Sequence, residues 1–264
     1  ITDENTLVAN GYSFFPKKFS LASYSYIIKS GGQILKAYGV SIGVTVVGTL
    51  LNVLLSALMA YPLSVKNLPG RNVMMFFVFF TMLFNGGIVP SYIMWTGTFH
   101  IKDTIFAQLL PNFLLSAWNV MMIRTYFTTS IPDGLYEAAE IDGASQFTIF
   151  WKIVLPLGKP ILVTMGTFAG LAYCNDWTNG LYYIVKNTGL YNVQNLLNQM
   201  VQNIQFLTQS SNSNVTAAAS TIPATGIQMA IAFVAILPIM LIFPSFQKYY
   251  AKGIALGAVK GCYR

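Results

Sequence analysis

Charge is what this sequence has least of. Asp, Glu, Lys and Arg together make up 9% of its 264 residues, against roughly 25% in an ordinary soluble domain. With 55% hydrophobic residues and a mean hydropathy of +0.57, that scarcity argues against a water-soluble globule of this size. One histidine, His100, and two distant cysteines, Cys174 and Cys262, offer no metal-ligand spacing and no disulfide framework. The phosphate-cradling pattern Gly-x4-Gly-Lys-Ser/Thr is absent, so the chain is not expected to hydrolyse ATP itself. Basic residues outnumber acids by 15 to 8. They are scattered without an interleaved stripe, which points to cationic membrane flanks and away from nucleic acid.

Long apolar runs are plentiful. Crossing the hydrocarbon core takes about 20 mostly apolar residues, and five windows qualify: 40–63, 73–95, 109–127, 160–184 and 224–246. Backbone inside hydrocarbon must satisfy its own hydrogen bonds, so the expected fold class is an all-α integral membrane protein. The short alternating segments of a barrel are missing. Lys66 and Arg71 follow the first run; Arg124, Lys152 and Lys159 flank the connection after the third; Lys248, Lys252, Lys260 and Arg264 lie in the tail 247–264. Those three regions belong in the cytoplasm by the Lys/Arg rule, although Lys17, Lys18, Lys29 and Lys36 of the leading segment run against it.

Five crossings and an inner carboxyl end put residue 1 outside. The chain opens Ile1-Thr2 with no signal-peptide pattern, so an earlier span in the complete protein, six helices in all, is the expectation. Residues 1–37, rich in Tyr and Phe, read as an extracytoplasmic cap before a transmembrane domain over 38–246. Between 190 and 209, Tyr191, Val193, Leu196, Leu197, Met200, Ile204 and Leu207 recur at i, i+3/i+4 among Asn and Gln. That predicts an amphipathic helix lying across the outer face, with a flexible link at 210–213.

The most informative stretch is a polar elbow at 130–158, where Asp133, Glu137, Glu140 and Asp142 gather half of all the acids. Pro132 suits the first turn of a helix, with Ser130 as a cap before it. Asp133 and Glu137 then complement the positive end of that helix. Ala138 and Ala139 form helix with almost no bulk, and Gly143 suits a left-handed turn. A second helix over 145–154 is expected to stop at Leu155-Pro156. On these grounds alone the elbow is either an ordinary cytoplasmic hairpin or a knob for a groove on another protein.

The full spacing Glu137-Ala138-Ala139-x3-Gly143-x9-Ile153-x-Leu155-Pro156 resembles the cytoplasmic "EAA" loop of permease subunits in bacterial ABC importers. Phe84-Asn85-Gly86-Gly87-Ile88-Val89-Pro90-Ser91-Tyr92, Phe14-Phe15-Pro16-Lys17-Lys18-Phe19 and Gly257-Ala258-Val259-Lys260-Gly261 extend the likeness over nearly the whole chain. Within carbohydrate importers it is similar to the maltose-G-like permeases and, among these, to the Lpl-type oligosaccharide branch. Asn175-Asp176-Trp177 and Thr225-Gly226-Ile227-Gln228 depart from that pattern.

The resemblance implies a type I ABC importer permease fold, with five transmembrane helices here and cytoplasmic coupling helices. It makes Glu137, Ala138, Ala139, Asp142, Gly143, Ile153, Leu155 and Pro156 the ATPase-coupling residues. It also implies a multi-pass protein of the bacterial cytoplasmic membrane that works with a second homologous permease, two ATPase subunits and an extracellular solute-binding lipoprotein. ATP and Mg would bind the partner ATPases, leaving this subunit without cofactor or metal.

A passage for sugars wants hydrogen-bonding amides and aromatic faces with few fixed charges. Asn85, Asn119, Asn175, Asp176 and Trp177 are the main candidates, with Asn52, Asn112 and Trp118 behind them. Asn residues serve equally well as polar contacts between helices, and Asp176, near the end of its run, is as readily placed in water. Gly86, Gly87 and Pro90 mark either a hinge or a close packing site. A secondary transporter driven by an ion gradient would want more intramembrane ionisable groups and internal repeats. A membrane scaffold that transports nothing is the remaining rival.

Overall fold

The computed structural model describes residues 18–21, 25, 31–209 and isolated positions from 226 to 240. Most of the 1–37 cap, the link at 210–213, most of the 224–246 run and the tail 247–264 lie outside the described residues. Regular structure among those described is helical: α1 (Gly31–Ser64), α2 (Arg71–Leu83), α3 (Ile88–Ile93), α4 (Phe106–Leu109), α5 (Ala117–Ser130), α6 (Asp133–Ile141), α7 (Gln146–Ile149), α8 (Leu155–Leu157), α9 (Lys159–Asn175), α10 (Thr178–Tyr183) and α11 (Val193–Gln209).

Helix α1 is the shaft of the molecule. It begins at Gly31, well before the expected residue 40, and packs along α5 on one side and α9 on another. By itself Gly32–Ser64 is long and apolar enough to cross a bilayer; Arg71–Leu83 with Ile88–Thr98 qualifies only as a pair bent by 107°. Gly87, at φ 89, turns the chain at that bend, and Asn85 Oδ1 accepts the Gly87 N–H at 2.9 Å. The run read as one helix over 73–95 is therefore two.

Two further runs, 109–127 and 160–184, are also interrupted, and for legible reasons. The expected 109–127 helix is replaced by turns up to Ser116, and only α5 is helical. Pro111 has no N–H to donate, Asn112 sits at φ 67, and Asn112 and Pro111 O bind the amide of Asn179 at 3.2 and 3.1 Å. The expected 160–184 helix breaks after Asn175, where Asp176 turns extended. Gln146–Leu157 and α9 meet at 79°, with Gly158 at the corner. A Cβ on Gly158 would lie 2.6 Å from the Phe127 ring, which is what lets the corner press against α5.

The core gathers where α1, α5 and the elbow meet: Ala57, Ala60, Tyr61, Leu63, Val120, Ile123, Phe127, Ile149, Phe150, Val154 and Met165 are buried together. Closer to the middle of α1, Asn119 of α5 donates to Asn52 of α1 at 2.8 Å, and Asn52 donates onward to Phe113 O at 2.6 Å. Bonds of this kind are worth about 0.6 kcal/mol each inside membranes. They also fix the rotation of α1 against α5.

At the far end from the elbow, Val193, Leu196 and Leu197 of α11 are buried against Ile34 and Ala37 of α1. Asn192 caps α11 by accepting the Asn195 N–H at 2.8 Å. The Asn195 side chain then fills the space over Gly180, so closely that a Cβ there would meet its Nδ2 at 1.9 Å. Gly180→Ala should destabilise the protein by about 1–3 kcal/mol through overpacking, seen as a lower thermal midpoint in detergent. Asn195→Ala in the same chain should recover part of that loss.

Candidate functional site

The elbow is built by one compact turn. Ile131 and Pro132 are extended, and Pro132 sits one place before the helix that Asp133 opens. Pro132 is thus the cap position and not the first helical residue, while Ser130 ends α5. Helix α6 closes with Gly143 at φ 75, the Ala144 N–H bonded to Ala139 O at 2.9 Å, and the Gly143 N–H bonded to Glu140 O at 3.0 Å. This pair of bonds is the Schellman closure. It gives the Ala139-x3-Gly143 spacing its physical meaning: Ala139 supplies the carbonyl and the small buried contact, Gly143 the left-handed backbone. Burial of Ala139 with half-buried Ala144 packed nearby in the same core completes it.

Ser145 starts the second arm, its Oγ accepting the Thr148 N–H at 3.3 Å. That arm does not stop at Leu155-Pro156. It passes through a π turn at Phe150–Val154, which ends just before Pro156 and its missing N–H, and runs on to Leu157.

The two arms sort the sequence-derived coupling residues into two groups. Glu137, Ala138, Asp142, Gly143 and Pro156 are exposed; Ala139 is buried, and Ile153 and Leu155 are half-buried against the core. The first group forms a surface and the second anchors it. The elbow also carries exposed apolar side chains that the motif does not name: Ile141, between Glu140 and Asp142 in sequence, is 86% exposed, Phe147 on the second arm is 71% exposed, and Leu135 and Trp151 are exposed as well. An isoleucine flanked by four acids was the available signal, and it passes unnoticed because its apolar character disappears in a polar average.

The pathway candidates are not gathered into one place. Asn119 is buried and spent on Asn52. Asp176 is buried too, so of the two places open to it from the sequence it does not take the one in water. Its Oδ1 accepts the Thr178 and Asn179 N–H groups at 2.9 and 3.2 Å, and its carbonyl accepts from Asn192. Asn85, Asn175 and Trp177 are exposed, the last two flanking Asp176 at the end of α9. Nearby in the fold, Asp103 holds the 184–187 loop by accepting the N–H groups of Val185, Lys186 and Asn187 through one oxygen at 2.7, 2.7 and 3.2 Å. Those bonds, first that of Lys186, hold its carboxyl below the usual range.

Residues 27–256 match the family described as the binding-protein-dependent transport system inner membrane component. The chain belongs to this family of transport permeases. Among relatives of this permease, Protein LplC of Bacillus subtilis is 36% identical over 98% of this chain and 85% of its own length. The polygalacturonan/rhamnogalacturonan transport system permease protein YtcP of the same organism is 37% identical over 97% and 87%. A crystal structure of a bacterial ABC transporter involved in the import of the acidic polysaccharide alginate superposes with a TM-score of 0.77 at 26% identity, over 93% of this chain and 85% of that one. The permease is an all-α inner-membrane component with the fold of ABC importer permeases.

Proposed function

We propose that this permease passes an oligosaccharide into the cell, powered by ATPase subunits that dock on the elbow and supplied by an extracellular solute-binding lipoprotein. The observation that carries the reading is the elbow surface, where Ile141 and Phe147 stand exposed on the two arms of an acid-rich turn closed at Gly143. Exposed apolar side chains on an acid-rich segment suit a protein groove with basic walls. The elbow then lies in the cytoplasm, as the flanking Arg124, Lys152 and Lys159 favour. The chain works beside a second homologous permease, crosses the membrane several times, and leaves ATP and Mg to the partners.

The cycle is alternating access. Nucleotide draws the two ATPases together, the docked elbows follow, and the permease pair opens outward to accept the sugar. Different elbow contacts in the two states are what make nucleotide able to shift the balance. Asn175 and Trp177, exposed together at the end of α9, can offer an amide and a stacking face to a passing sugar ring. The names of YtcP and of other relatives, such as the arabinooligosaccharides permease AraQ of Bacillus subtilis at 27% identity, support an oligosaccharide cargo.

Uptake into proteoliposomes of the complete importer tests this with labelled oligogalacturonides, arabino-oligosaccharides and raffinose. Uptake should require ATP and the binding protein, persist when ion gradients are collapsed, and fall at least ~10-fold in Glu137→Lys, since reversing a charge at a docking rim opposes a basic partner. Uptake that survives without ATP but stops with an ionophore would replace this reading with a gradient-driven one.

A further inference from the structure

We propose that Tyr61 and Gln146 are positioning residues that lock both arms of the elbow to α1, so that the elbow and the central helix move as one body. The proposal rests on the reading of the elbow as the ATPase contact.

Both ends of the elbow are joints. It leaves α5 through extended Ile131 and Pro132, and it enters α9 through the bend at Gly158. A knob held only at two such joints would swivel under load and waste the motion. What opposes this is a set of contacts made sideways, onto the last turns of α1. The buried Tyr61 ring has the Tyr136 ring of α6 at 6.3 Å and the Phe150 ring of the second arm at 5.5 Å. Its hydroxyl donates to Gln146 Oε1 at 2.5 Å, and Gln146 Nε2 donates to Glu140 Oε1 at 2.9 Å.

One hydroxyl, one amide and one carboxylate thus tie α1 to the start of α7 and to the end of α6. The amide is the residue type that this task needs. It accepts from a phenol and donates to a carboxylate at once, which neither Glu nor Leu can do. Lys66, just past α1, also pairs with Asp133 at the start of α6. At 1.5 Å per residue, the 34 residues of α1 carry a displacement made here over about 50 Å.

Spin labels on Gly43→Cys in α1 and Gly134→Cys in α6 test the lock, with Cys174 and Cys262 changed to Ser. Neither glycine has anything within 4 Å of where a Cβ would sit. The complete importer in nanodiscs is measured by electron–electron double resonance without nucleotide and with Mg-AMP-PNP. In the otherwise unaltered importer the distance should hold to within the roughly 1–2 Å by which packed helices ordinarily shift. Tyr61→Phe keeps the ring and removes the hydroxyl; Gln146→Glu keeps the acceptor and sets a like charge against Glu140. With either change the distance should shift or broaden by more than that when nucleotide binds.

A distance that already changes in the unaltered protein, or a Tyr61→Phe variant that stays rigid, overturns the lock. Cross-linking from Ile141→Cys to the ATPase is run in parallel. Its absence in the otherwise unaltered importer would defeat the docking reading itself. Its loss only in Tyr61→Phe would make the hydroxyl a folding element and overturn the positioning role.

Discussion

Gly143→Pro will abolish uptake, by at least ~100-fold, while leaving normal amounts of the permease in the membrane. At φ 75 the position lies in the left-handed region, which costs other L-residues about 1–2 kcal/mol. Nothing lies within 4 Å of its absent Cβ, so the penalty comes from the backbone and not from crowding. Proline holds φ near −65° and has no N–H for the 3.0 Å bond to Glu140 O. Losing that turn would redirect the second arm and with it Phe147, Trp151 and the Gln146 bond to Tyr61. Graded replacements make the argument sharper. Asn, which tolerates the left-handed region, should transport nearly normally, and Ala should fall about 5–30-fold, the range that 1–2 kcal/mol spans in a two-state ratio. Uptake measured beside immunoblots of washed membranes checks the series. Normal uptake in the proline variant would mean that the elbow's shape is irrelevant.

The elbow was readable in advance because it is local. Its turn is closed by residues three and five apart, so the acid-rich start, the two alanines and the glycine all act within one short stretch. The stripe on α11 is similarly local: Val193, Leu196 and Leu197 recur at helical spacing and are buried on α1. What the sequence does not reveal lies where distant residues decide. Asp176 ends an apolar run, which leaves water as open a place for it as the protein interior. It is buried, and Asn192, just before α11, donates to its carbonyl from 16 residues on. The interruptions at 84–87, 110–116 and 176–177 vanish in any hydropathy window, since a few polar or glycine residues hardly change an average over about 20. The bond of Asn119 to Asn52 is likewise decided at a distance, since the partner lies on another helix far away in sequence. A single apolar residue such as Ile141 is lost for the opposite reason, being outnumbered by acids on either side.

Ile141→Asp and Phe147→Asp should each release the ATPase from the permease, weakening their association about 100-fold or more without harming the permease itself. Both side chains are largely exposed in the subunit, so removing them opens no cavity and should leave its stability within about 0.5 kcal/mol of normal and its thermal midpoint nearly unchanged. Filling a groove with either would bury a side chain worth about 1.5–3 kcal/mol, and 1.4 kcal/mol is tenfold in affinity. The aspartate adds the cost of pressing a carboxylate into an apolar seat. Ala138, also exposed, makes a useful contrast: Ala138→Ser keeps the bulk nearly constant and should bind almost normally. Copurification of the ATPase with tagged permease reads the association, and thermal unfolding in detergent reads the fold. Full retention of the ATPase by both aspartate variants would locate the docking surface elsewhere. Loss of the ATPase together with a lowered thermal midpoint would instead mean that these side chains support the fold of the elbow.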